Sequence, residues 1–218
     1  MPKVGMEPRR RADVVNATLA CISKYGIEGM TLDKVAVQAG CSKGVVTYYY
    51  KNKDELTLEA FKSFMAYYGV KIEAEISAGM TAGAMLEIVL RHLLPAAGTE
   101  AGASINVSLL DGIGEMRIPY EDQGRLFVQF FSRAAVDPKL REVMSGIYER
   151  ELAGITRIFE LGYRTGEMST PDAPSAAYGL LAMVVGLSFF RVANVAPGKG
   201  EDNRSIGEGY VKQFMKPQ

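Results

Sequence analysis

The sequence predicts an all-α protein with a small helical head followed by a larger helical body. Three observations carry that expectation. Apolar residues recur at steps of three and four along the whole chain, and no segment keeps the strict alternation of a strand for long. Glycines and prolines interrupt this pattern at intervals of ordinary helix length. The 218 residues, 48% hydrophobic and 23% charged, suffice for a sizeable core and match an ordinary soluble globular chain. Disorder, collagen-like repeats and a disulfide scaffold are excluded.

A first helix is expected over about 9–25, with Val15, Leu19 and Ile22 on one stripe and Gly26 and Gly29 ending it. Thr31 caps a short second helix in which Leu32, Val35, Ala36 and Ala39 share a face, and Gly40 stops it in a left-handed conformation. Ser42 caps a third, from Lys43 to about Tyr49. After a break at Lys51-Asn52, a long helix spans about 53–78. Further helices are expected near 81–94, 102–115, 120–135, 138–166, 173–195 and 202–217. The 102–115 element is weakened by Gly102, Gly112 and Gly114. The head is placed at 1–56 and the body at 57–218.

Lys plus Arg and Asp plus Glu both count 25, so no field of the whole protein argues for a polyanionic partner. The distribution does. Residues 1–56 hold nine basic and six acidic residues, and the remainder is mildly acidic. Cys21 and Cys41 lack metal-ligand spacing and read as small buried apolar groups. The opening MPKVGMEPRRR has no apolar stretch behind its charges, as a secretory signal would. The longest apolar run, Tyr178 to Phe190, is too short to span a bilayer. A cytoplasmic protein without a membrane partner is expected.

The chemistry concentrates in residues 31–53, TLDKVAVQAGCSKGVVTYYYKNK. Two short helices joined by Ala39-Gly40-Cys41-Ser42 form a helix-turn-helix pattern, whose second helix lies in a major groove. Helical geometry turns Val46 and Tyr50 inward and leaves Lys43, Gly44, Val45, Thr47, Tyr48 and Tyr49 outward. Ammonium and hydroxyl groups there reach phosphates, and methyl groups can touch a thymine methyl. Ser42 stands with them at the cap, and Arg9, Arg10 and Arg11 add a basic arm ahead of the first helix.

With Gly40, Ser42, Gly44, Tyr49, Tyr50 and Lys53 at these intervals, after Lys24-Tyr25-Gly26 and Gly29-Met30-Thr31, the stretch resembles the DNA-binding domain of TetR-type transcriptional regulators. The likeness covers about residues 7–60. The opening PKVGMEPRRR is similar to the start of the choline-responsive repressors of betaine synthesis in that family. The resemblance implies an all-α homodimer that binds double-stranded DNA at a palindromic operator and is released by a small-molecule effector. It implies phosphate contacts from Thr31 and Lys53 at the starts of the second and fourth helices. Tyr50 stands where the family usually has a buried Phe, so its hydroxyl needs a partner.

Other constellations are weak. His92 is a single histidine, and no nucleophile elbow, P-loop, dinucleotide fingerprint or Cys/His cluster occurs. No enzyme, cofactor or metal is expected. Segment 173–195 is apolar nearly all round and suits a dimer interface through Leu180, Val184 and Leu187, joined by Phe214 from the last helix. Met85, Met116, Phe127, Phe130, Phe131, Tyr148, Phe159, Tyr163, Met183 and Phe190 are candidates to line an effector pocket. Within residues 81–195 Phe, Leu and Met outnumber Tyr, and with no Trp in the chain this balance favours an apolar effector over choline. A cation would need Tyr120, Tyr148, Tyr163 or Tyr178, with Glu115, Glu149 or Glu160 as counter-charge. A helical carrier or interaction module without DNA binding, or a TetR-type activator, remains the alternative.

Overall fold

Helix α1 (Met6–Gly29) is interrupted at Gly26, where its sequence places a stop, and a last short turn continues to Gly29. At Gly26 φ is +73°, a left-handed value that a side chain would strain. The computed structural model describes residues 6–94, 104–108, 115–198 and 201–217. After α1 come α2 (Leu32–Gln38), α3 (Lys43–Tyr49), α4 (Lys53–Glu75) and α5 (Ala82–Leu93). Strands β1 (Ser104–Ser108) and β2 (Glu115–Pro119) follow, then α6 (Tyr120–Val136), α7 (Pro138–Thr165), α8 (Ala173–Val192) and α9 (Asn203–Lys212). Among the described residues the elements are helical apart from one antiparallel strand pair, in which Val107 is paired with Met116 and Ile105 with Ile118.

That pair corrects the expected helix at 102–115. Ser104-Ile105-Asn106-Val107-Ser108 alternates polar and β-branched residues, which suits a strand and disfavours a helix. The remaining differences are at ends, where α4 stops at Glu75 and α9 covers only Asn203–Lys212.

The chain divides into two compact units. Unit 1 comprises Met1–Tyr67 with Gly102–Arg141. Its helix-turn-helix is built on buried Leu19, Ile22, Val35, Ala36 and Val46, and a second cluster forms where Phe61 and Phe64 of α4 meet Phe130 of α6. Thr31 caps α2 by accepting from the Lys34 N–H at 3.3 Å, and Gly40 has φ +61°. Cys21 is buried and Cys41 only half-buried.

Unit 2 comprises Tyr68–Ala101 with Glu142–Gln218. Leu86, Leu90, Phe159, Ala177, Leu180 and Val184 are among its core residues, contributed by α5, α7 and α8. The Glu167 carboxylate accepts from the N–H groups of Ala82 and Gly83, both at 2.8 Å, satisfying the first turn of α5. Helices α8 and α9 approach closely at Gly179, where a Cβ would run into the Tyr210 hydroxyl, itself donating to the Ala176 carbonyl at 3.1 Å. The lone histidine is structural: His92 Nε2 lies 2.7 Å from Glu75 Oε1, and that bond is the main cause holding the Glu75 carboxyl below its ordinary range. Helix α8 is long and apolar enough to cross a membrane, but Ala176, Ala177, Leu180, Leu181, Val184 and Leu187 are buried in this core.

Candidate nucleic-acid interface

Helix α3 sorts its residues by face as its sequence requires. Val46 is fully buried and Tyr50 is 2% exposed, while Lys43, Gly44, Thr47 and Tyr48 are exposed and Val45 and Tyr49 half-buried. The Tyr48 and Tyr49 rings meet edge to face, with centroids 5.1 Å apart. The Thr47 hydroxyl donates back to the Lys43 and Gly44 carbonyls, at 3.2 Å each, which leaves its methyl to make apolar contacts. Ser42 occupies the cap position but makes no side-chain capping bond, so its hydroxyl points to no backbone partner in α3.

The cations expected on phosphates are held by partners within unit 1. Lys43 Nζ lies 2.9 Å from Asp33 Oδ2, and Arg10 lies 3.7 Å from Asp13. Lys53 Nζ donates to the Glu28 carbonyl at 2.9 Å. These pairs are exposed and weak, so phosphates can displace them at low cost. Arg11 differs. Its Nε donates to the Tyr50 hydroxyl at 3.1 Å and its Nη2 to Glu59 at 3.0 Å, supplying the partner that a buried tyrosine needs. Arg9 is exposed and has no ion pair among the described residues.

Spacing along α3 could not reveal two further features. The fold brings acids to a helix that has none of its own: Asp33 from α2, and Glu7 from α1, whose carboxylate accepts from the Tyr48 hydroxyl at 3.4 Å. It also gathers Lys24 and Lys34 over the Tyr25 ring, at 5.1 and 4.4 Å, beside the α2 cap. Lys24 and Lys34 thus bring two more ammonium groups near Thr31, one of the residues expected on a phosphate.

Comparison with known proteins agrees with this geometry. Residues 14–60 match the family of bacterial regulatory proteins, tetR family, and residues 118–216 match the C-terminal domain of BetI-type transcriptional repressors. The chain belongs to the TetR family.

Among TetR-family relatives, a BetI regulator from Serratia proteamaculans is 33% identical over 78 residues, 36% of this chain but only 39% of that protein's length. A second, BetI 2 from Chromohalobacter salexigens, is 28% identical over 99% of this chain and 93% of its own. A transcriptional regulator from Saccharomonospora viridis, solved with choline, shares the fold at TM-score 0.73 and 18% identity, covering 97% of this chain and 100% of its own.

Unit 2 of this TetR-family chain rearranges the expected body residues. Leu180, Val184 and Leu187 lie in the unit's own core at 0%, 5% and 9% exposure, which corrects their assignment to a dimer surface. Phe214 packs on Phe159 and Tyr210, with centroids 5.3 and 5.2 Å apart. The outward stripe of α8 is instead exposed Tyr178 and Ala182, continued by half-buried Val185 and Phe189. Because both faces are apolar, periodicity alone could not tell which turned inward.

The pocket candidates scatter. In unit 1, Phe130 is buried against Phe61 and Phe64, Phe127 meets Phe64 edge to face, and Phe131 is half-buried. In unit 2, Phe159 is fully buried and Met85, Tyr148 and Met183 partly so, whereas Tyr163 and Phe190 are about half exposed. The Met116 side chain lies outside the described residues. So do those of Glu115 and Tyr120 among the groups considered for a cation, while Tyr178, Glu149 and Glu160 are exposed.

One carboxylate escaped the sequence reading. Glu151, three residues beyond Tyr148 on α7, is half-buried, and its Oε1 lies 3.8 Å from where a Cβ on Gly69 would stand. Burial, then the nearby Glu73 carboxylate, push its pKa upward. No Lys or Arg nitrogen stands within ion-pair distance among the described residues. Only the i, i+3 spacing from Tyr148 could have signalled it.

Proposed function

We propose that the protein is a cytoplasmic, ligand-responsive transcriptional repressor. Its head, residues 1–56, binds a palindromic operator, and its body, residues 57–218, takes up a small-molecule effector and joins two copies. The outward face of α3 carries this reading: hydroxyls, methyl groups and an ammonium held only by a surface pair with Asp33 stand exposed while Val46 and Tyr50 anchor the helix beneath them. Two such heads meet successive major grooves about 34 Å apart when held by a dimer, and an effector that alters their spacing releases the DNA. The second copy is placed against the outward stripe of α8.

Salt dependence separates this from a carrier or interaction module. A protein making six to ten phosphate contacts loses about 10³–10⁵ in affinity for duplex DNA between 50 and 200 mM salt. Affinity that is weak and indifferent to salt would favour the carrier. Transcript levels of the regulated genes after deletion distinguish repressor from activator.

A specific observation favours a second reading of the effector. Of the aromatic candidates that suggested an apolar ligand, Phe130 and Phe159 are fully buried in core packing and Tyr163 and Phe190 are half exposed. Glu151 beside Tyr148 offers a half-buried negative charge, which suits a ligand with a cationic centre. Calorimetry with choline and with a neutral hydrocarbon analogue of its size tests the choice. The cationic reading expects choline binding that falls at least about tenfold in Glu151→Gln and weakens as pH drops through the raised pKa of Glu151. Ionised Glu151 is costly in the folded state, so its stabilising contribution is present at low pH and lost as pH rises through that pKa. Glu151→Gln should therefore melt above the wild type at neutral pH, with the gap closing in acid. Binding of the neutral analogue alone would restore the apolar reading.

A further inference from the structure

We propose that Gln129 and Arg133, one turn apart on α6, are positioning residues that hold the helix-turn-helix at a fixed angle for DNA. The inference rests on the reading of the head as an operator-binding module. At the Gly26 kink the backbone leaves helical geometry, and the next N–H, that of Ile27, donates to Gln129 Oε1 at 3.0 Å. The approach is close enough that a Cβ on Gly26 would sit 3.1 Å from the same oxygen. A side chain 102 residues away thus takes up a backbone donor at a break in α1.

One turn further along α6, Arg133 spreads its three nitrogens over three carboxylates. Nη1 lies 3.2 Å from Glu28 at the end of α1, Nη2 2.9 Å from Asp54 in the first turn of α4, and Nε 3.4 Å from Asp137 before α7. Its side chain is only 25% exposed, and of the three acids Asp137 is 19% exposed while Asp54 and Glu28 reach in from the surface, so it is the shared guanidinium that ties the three elements together. Glu28 is also the residue whose carbonyl accepts from Lys53, the lysine expected on a phosphate. The grip therefore falls on residues 27 and 28, just ahead of Thr31. Met30 between them is fully buried and its N–H bonds the Gly26 carbonyl at 3.0 Å, so little slack separates α6 from the start of α2.

The test uses the full-length protein, a palindromic duplex selected by the wild type from random sequence, and the same duplex with one base pair inserted between the half-sites. The insertion rotates one half-site by about a tenth of a turn. A head held at a fixed angle loses at least tenfold in affinity, and this penalty should shrink to threefold or less in the folded double variant Gln129→Ala/Arg133→Gln. Arg133→Lys, which keeps the charge but not the fork, should fall between. The Ile27 amide should exchange at least tenfold faster with solvent in Gln129→Ala. Melting curves establish folding; should the double variant fail to fold, each single variant is put to the same comparison. A wild type indifferent to the insertion, or folded variants with the wild-type penalty, overturns the proposal. A wild type with no salt-dependent affinity for duplex DNA overturns the operator reading and the proposal with it.

Discussion

Leu180→Arg is expected to unfold unit 2 rather than to divide a dimer. Leu180 is fully buried among α5, α7 and α8, and the described residues of that core are apolar, with no carboxylate for a guanidinium to meet. An uncompensated buried charge costs at least about 3 kcal/mol, and the added length overpacks a core that already brings Gly179 against the Tyr210 hydroxyl. The contrasting substitution is Ala182→Arg, two residues on and on the exposed stripe. That arginine keeps its hydration in the monomer and loses it only when a second α8 covers it. Thermal melting should show Leu180→Arg losing a large part of its stability and Ala182→Arg keeping wild-type stability. Sedimentation should show Ala182→Arg as a monomer. A folded, stable Leu180→Arg protein would mean that α8 presents the opposite face to the core.

This pair marks where sequence reasoning reached its limit. The head was legible because each short helix has one apolar stripe and a chemical stop, so the burial of Val46 and Tyr50 followed from spacing alone. In α8 the stripe wraps the helix, and only tertiary packing decides that Leu180 points inward and Ala182 outward. The β1–β2 pair was missed for a different reason. Five alternating residues are too few to stand out in a chain where helical periodicity dominates, although Ile105 and Val107 favour a strand. Pairing between distant residues is the third gap. Arg11 reads as part of a basic arm, yet the fold gives it to Tyr50 and Glu59, and nothing local to Arg133 announces Glu28 or Asp54.

The recognition helix should separate folding from binding within two consecutive residues. Val46 has no exposed surface, so Val46→Ala removes buried methyl groups and leaves a cavity the head cannot fully close, lowering stability by about 1–3 kcal/mol. Thr47 is exposed and bonds only its own helix, and Tyr48 is 73% exposed. Thr47→Ala and Tyr48→Ala should therefore leave the melting temperature nearly unchanged. Operator affinity should nevertheless fall in both, because in the proposed dimeric complex a methyl or hydroxyl contact to a base or phosphate is lost in each of two half-sites. The loss for each good base contact is about 1–3 kcal/mol, so a two-fold complex can weaken by a hundredfold or more. Tyr48→Ala should also release Glu7 from its hydroxyl partner, which leaves an acid near the DNA and enlarges its effect relative to Thr47→Ala. Melting curves paired with operator titrations at one salt concentration decide the matter. If Val46→Ala melts with the wild type while Thr47→Ala unfolds the head, α3 is turned the other way and the face assigned to DNA is wrong.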